Sequence, residues 1–165
     1  MAERNSEAVV VTTPTERELL MTRVFSAPRS LVFAAYTEAE HLPHWMLGPP
    51  GWTMPVCEID FRPGGAWRFG WLSADGLQME MSGVYREILP PERVVYTERW
   101  GGEWPETVNT LTLVESDGKT TVSMHLLYPS QEARDAALAT GMKDGASISL
   151  DRLADYLGAL RGEGK

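Results

Sequence analysis

The sequence predicts an α+β domain: a seven-stranded antiparallel sheet curving around one long C-terminal helix, with two short helices after the first strand. Two observations carry this expectation. Between residues 51 and 129, six short runs rich in β-branched and aromatic residues are separated by turn signals. Beyond them, Met142, Ala146, Leu150, Leu153, Leu157 and Leu160 step by 4, 4, 3, 4 and 3, the apolar stripe of an amphipathic helix.

Residues 1–14 read as a flexible polar lead ending at Pro14, and residues 15–162 as one domain. RELLMTRVF, residues 17–25, is the first strand. Pro28 suits the first turn of a helix, and in PRSLVFAAYT the positions Leu31, Val32, Ala35 and Tyr36 fall on one helical face. Thr37 and Glu40 form a T-x-x-E capping box that opens a second short helix to about Trp45. Pro43 limits that helix to a turn or two. The six strands then run over 53–61, 66–73, 78–89, 93–100, 107–115 and 121–128. Their breakers are RPGG, ADG, PPE, GGEWPE and SDGK; ADG and SDGK are short enough for hairpins, which makes the sheet antiparallel. Two helices separate the first strand from the second, so it must join across the sheet edge. Gly141 breaks the long helix from a weaker helical lead over 131–140.

A chain of 165 residues, 43% hydrophobic and 23% charged, is long enough for one real core. Fifteen basic residues face 23 acidic ones, giving a net charge of −8. No Lys/Arg block occurs, so the electrostatic footprint for nucleic acid or an anionic membrane is missing. The expected partner is a small neutral or apolar molecule; the oligomeric state is left open, a homodimer included. Cys57 is the only cysteine, which excludes an intrachain disulfide. The N-terminus lacks a basic region followed by an apolar stretch, and no apolar run approaches the roughly 18 residues of a membrane helix. The expected location is the cytoplasm.

HLPHWMLGPPGW, residues 41–52, sets two histidines and two tryptophans around a stiff Gly-Pro-Pro-Gly. His41 and His44 have a spacing that could ligate zinc, with Cys57 or His125 as a third donor. The H-E-x-x-H signature is absent and there is no second close pair, so no metal is expected. His125 alternates with Met124 and Leu126 and should face away from the apolar side of its strand. Trp45 and Trp52 instead read as one lip of a pocket mouth, held open by the prolines.

The chain has six tryptophans, among them Trp67, Trp71, Trp100 and Trp104. Trp67, Phe69 and Trp71 alternate on one face of a strand, the period of a buried side. Met79 and Met81 share another strand face, and methionine suits a permissive wall. Glu58, Asp60, Glu80 and Glu98 are strand carboxylates; a buried pair among them could serve as general acid and base, but most are expected on the solvated face, where Arg68, Arg86 and Arg99 can pair with them. No G-x-S-x-G elbow, Cys–His signature or P-loop is present, so no catalytic residue and no cofactor are assigned.

Four stretches, VFSAPRSLVFAAYTEAEHLPHW, GPPGWTMPVCEIDFRPGGAWRF, SGVYREILPPERVVYTERW and GMKDGASISLDRLADYL, follow one another over residues 17–160. Together they resemble the Aha1-like (activator of Hsp90 ATPase homologue) and calicheamicin-resistance-like proteins of the START / Bet v 1 superfamily. The combination of W-x-x-G-P-x-G-W, R-P-G-G and G-V-Y-R-E-I-x-P-P-E-R carries the resemblance. It implies a helix-grip fold with a cavity between sheet and long helix, used for hydrophobic ligands; it does not imply a reaction. The expected lining is Trp45, Trp52, Trp67, Phe69, Trp71, Met79, Met81, Tyr85, Asn109, Tyr128, Met142 and Ala146. Two alternatives remain: a cyclase- or aromatase-like enzyme using Tyr85, Asn109 and Tyr128, and a domain that contacts Hsp90.

Overall fold

The computed structural model describes residues 9–161. Its sheet has eight strands: β1 (Val10–Thr12), β2 (Glu18–Phe25), β3 (Trp52–Ile59), β4 (Ala66–Ser73), β5 (Gln78–Leu89), β6 (Arg93–Trp100), β7 (Thr107–Ser116) and β8 (Lys119–Leu127). Helix α1 (Arg29–Thr37) follows β2, and α2 (Gln131–Ala139) and α3 (Met142–Leu160) close the chain. The spatial order is β1-β2-β8-β7-β6-β5-β4-β3, every neighbour antiparallel. The first predicted strand thus pairs with the last, as the crossing over two helices required. Asp117 and Gly118 both have positive φ (54° and 77°) and join Ser116 to Lys119, the two-residue turn that matches strand twist.

Three expectations change. The sheet has eight strands rather than seven, because Val10–Thr12, inside the expected lead, pairs with Leu20–Thr22 along β2; residues 1–8 lie outside the described residues. The second helix shrinks to a 3₁₀ turn, Leu42–His44. Thr37 does not cap it: it is the last residue of α1, and its hydroxyl donates back to the Phe33 carbonyl at 2.8 Å. The α3 stripe is also turned. Its buried face is Ser149, Leu153, Ala154, Leu157 and Gly158, while Leu160 is 43% exposed. Small residues at three of those five positions let the helix lie close to its neighbours, which matters more here than the number of leucines.

One core dominates, built from Phe25, Val32, Leu42, Trp45, Leu113, Leu153 and Leu157 with the aromatic residues of β4 and β5. The sheet is tied to α3 by Arg23, 2% exposed on the inner face of β2, which pairs with Asp151 at 2.7 Å. The register of β5 with β6 shifts between Tyr85 and Glu87, and Gly83 lies on β5 just before that shift. A Cβ built there would fall 1.8 Å from the Thr97 carbonyl oxygen and 2.7 Å from Trp67 Nε1. Gly83→Ala should therefore cost about 1–3 kcal/mol or more in urea unfolding, since backbone must shift. A loss below about 0.5 kcal/mol, the range of an unremarkable surface change, would show that the strand accommodates the methyl group.

Candidate functional site

The pleat of β4 puts Trp67, Phe69 and Trp71 on the inner face, and register carries that face across the sheet. Trp67 lies opposite Gly83, Phe69 opposite Met81, and Trp71 opposite Met79. On β6 the same face holds Tyr96, opposite Tyr85 and Asn109, and Trp100, opposite Met81. The result is an aromatic surface in which Trp67 meets Phe69 at 4.7 Å and Tyr96 at 5.8 Å, and Phe69 meets Trp71 at 6.0 Å between ring centroids. Edge-to-face and tilted contacts of this kind favour order in the ring array. Burial raises the hydroxyl pKa of Tyr85 and Tyr96 far above the usual phenol value, so both stay neutral.

One carboxyl group interrupts this surface. Glu98 pairs opposite Thr107 and alternates with Tyr96 and Trp100, so it faces inward. This corrects the expectation of a solvated Glu98. Its Oε2 accepts from Trp100 Nε1 at 2.8 Å and its Oε1 from Asn109 Nδ2 at 3.0 Å; Thr107 Oγ1 in turn donates to Asn109 Oδ1 at 2.8 Å. Burial raises the Glu98 pKa, and the two donated hydrogen bonds oppose that shift. A recess of about 10 Å³, room for a single water, lies beside it, bounded by Glu98, Trp100, Trp104, Pro105, Thr107 and Tyr128.

Of the residues expected to line a cavity, Trp67, Phe69, Trp71 and Tyr85 are buried together on the inner face. Met81 is partly buried beside them, and Met79 is 47% exposed at the sheet's end. Asn109 and Tyr128 lie at the carboxyl group, with Tyr128 donating to Met142 Sδ at 3.6 Å. Burial raises the Tyr128 hydroxyl to about 12. Ala146 is partly buried, one turn before Ser149 on α3.

Trp45 departs from its expected role. It is 1% exposed, donates to the Ala35 carbonyl at 3.0 Å and packs edge-on to Tyr36, so it belongs to the core rather than to a rim. Trp52 is partly buried and packs against the same core. The corner between them is pinned to α3: Arg152 donates to the Trp45 and Gly48 carbonyls at 3.1 and 3.0 Å, and Gly48 N–H donates to Ser149 Oγ at 2.8 Å. Trp71 Nε1 holds it from the sheet by donating to the Met46 carbonyl at 2.8 Å.

Sequence reasoning missed Glu98, Trp100, Trp104 and Thr107 as site residues. The signal was present in RVVYTERW: arginines at 93 and 99 mark one face, which leaves Tyr96, Glu98 and Trp100 on the other. Glu58 and Glu80 are on the outer face as expected, 3.5 and 3.9 Å from Arg68. Asp60 pairs with Arg62 at 2.9 Å. A wider recess of about 460 Å³ opens on this outer face between Arg68, Arg99 and Glu106, with a charged rim unlike an apolar ligand site.

The histidines are separately engaged. His41 Nδ1 lies 2.7 Å from Tyr156 Oη, His44 stacks on the Tyr156 ring, and His125 lies on β8, 2.6 Å from Glu18. Cys57 is on β3, with four strands between it and β8, and burial raises its thiol pKa. Among the described residues, the donors that converge are Glu38, Glu40 and His41, within 4.8 Å of one another, and both acids are exposed.

Residues 26–158 match the family model described as Activator of Hsp90 ATPase homolog 1-like protein. The chain belongs to this family. No curated protein matches it. Among solved structures, a Rhodobacter sphaeroides protein is 28% identical with a TM-score of 0.88, the alignment covering 93% of this chain and 99% of the other. A Chromobacterium violaceum protein is 30% identical with a TM-score of 0.72, covering 84% and 96%. CalU16 from Micromonospora echinospora, 20% identical over 92% of this chain and 85% of its own, shares the fold at a TM-score of 0.60. The helix-grip architecture is thus common to this chain and these structures. No helix among the described residues is long and apolar enough to cross a membrane.

Proposed function

We propose that this Activator of Hsp90 ATPase homolog 1-like protein binds a small, largely apolar molecule between the inner sheet face and the N-terminal half of α3. The observation that supports it is the aromatic surface of Trp67, Phe69, Trp71, Tyr96 and Trp100, broken by one inward carboxyl group. Apolar walls with few, well-placed polar groups are the general composition of small-molecule sites. The recess beside Glu98 is water-sized, so a ligand must displace a lining segment; Trp104 and Pro105 of the loop over 101–106 and Ala137 of α2 line it.

Ala146→Trp tests the reading by placing an indole on the partly buried surface of the N-terminal half of α3. A hydrophobic fluorescent probe should bind the native protein saturably and quench its tryptophan emission. In a folded Ala146→Trp variant that binding should fall by at least about tenfold, the equivalent of 1.4 kcal/mol. Unchanged binding in the folded variant would place the probe elsewhere.

A further inference from the structure

We infer that the recess between Glu98, Trp100, Trp104 and Tyr128 receives a cationic nitrogen, a protonated amine or quaternary ammonium carried on an otherwise apolar ligand. The inference rests on the binding site proposed above and specifies its ligand class. Each Glu98 oxygen accepts one hydrogen bond from the protein, and each retains a further lone pair. Among the described residues, no Lys, Arg or His lies within ion-pair distance of this carboxylate. An inward carboxyl group without a protein countercharge is stabilised in its ionised form by an incoming cation, which it then favours over a neutral or anionic group.

The rings around it point to the same charge. Trp100 and Trp104 stand 4.8 Å apart between centroids, tilted by 60°, and Tyr128 completes the wall. The Trp100 indole N–H is already given to Glu98 and the Tyr128 hydroxyl to Met142, so these side chains have spent their donors. What they offer a ligand is electron-rich ring surface, and a cation over such rings gains more as water is excluded. A net charge of −8 adds long-range attraction for a cation. Entry is through Trp104, whose loop starts at Gly101–Gly102, with Gly102 at φ +76°, and whose carbonyl accepts from Arg99 at 3.3 Å.

The test compares two probes of one shape, phenyltrimethylammonium and tert-butylbenzene, with the full chain by tryptophan emission and calorimetry at low salt. The cation should bind at least about tenfold more tightly. Glu98→Gln, which keeps the side-chain shape, should bring the two affinities to within about twofold at an unchanged far-ultraviolet spectrum. Trp104→Leu, in a surface loop, should weaken the cation more than the hydrocarbon, and it decides the matter if the Gln variant does not fold. Equal affinities in the native protein would overturn the cation assignment and leave apolar binding standing. Binding of neither probe would overturn both. A preference that survives in folded Glu98→Gln would remove Glu98 from the site.

Discussion

Trp45→Ala is expected to cost about 3–5 kcal/mol in urea or guanidinium unfolding, the range for deleting a large buried aromatic side chain. Trp45 is 1% exposed and contacts α1 in two ways, through its indole N–H on the Ala35 carbonyl and its ring against Tyr36 at 4.9 Å. The substitution leaves a cavity and removes the partner of a buried carbonyl, so two penalties act together. Its backbone carbonyl also accepts from Arg152, so collapse of the corner toward the cavity would strain the link to α3. Trp52→Ala, at a partly buried neighbour, should cost less. Equal and small losses at both positions would return Trp45 to the rim of a pocket.

Leu153→Ala is the second large effect, at about 2–5 kcal/mol. Leu153 is 0% exposed at the centre of the inward face of α3 and belongs to the main core. Leu160, on the same predicted stripe, is 43% exposed, and Leu160→Ala should stay within about 0.5 kcal/mol. The contrast between two leucines on one helix measures the turned stripe directly. Comparable losses at both would mean that α3 buries the leucine face the sequence suggests.

Much of the fold is legible in the sequence because strands and turns announce themselves locally. The runs 66–73, 78–89 and 93–100 coincide with β4, β5 and β6, where turn residues end each run sharply. The edge strand β1 is three residues long, too short for an alternation to register, and only its pairing with β2 defines it. The capping box at Thr37 was a correct motif in the wrong place: α1 ran through it, and the threonine hydroxyl was used within that helix.

The candidate site divides in the same way. Trp67, Phe69 and Trp71 are readable because three aromatics on alternate positions leave no doubt about a buried face. Glu98 is less so: the face of RVVYTERW opposite Arg93 and Arg99 points to it, but a carboxylate is ordinarily assigned to solvent, and its inward position is fixed by pairing opposite Thr107 and by the bond from Asn109.

The α+β class, the antiparallel hairpins and the long final helix are readable from periodicity and turn chemistry over short distances, and the family from the resemblance of the quoted motifs. Three-dimensional packing alone sets Trp45 in the core, turns the small residues of α3 inward and stands Glu98 among aromatic rings. These depend on which face meets which between segments far apart in the chain, from 11 residues for Glu98 and Asn109 to 107 for Trp45 and Arg152. A pleated strand offers two faces with equal backbone geometry, and packing against the rest of the fold chooses between them.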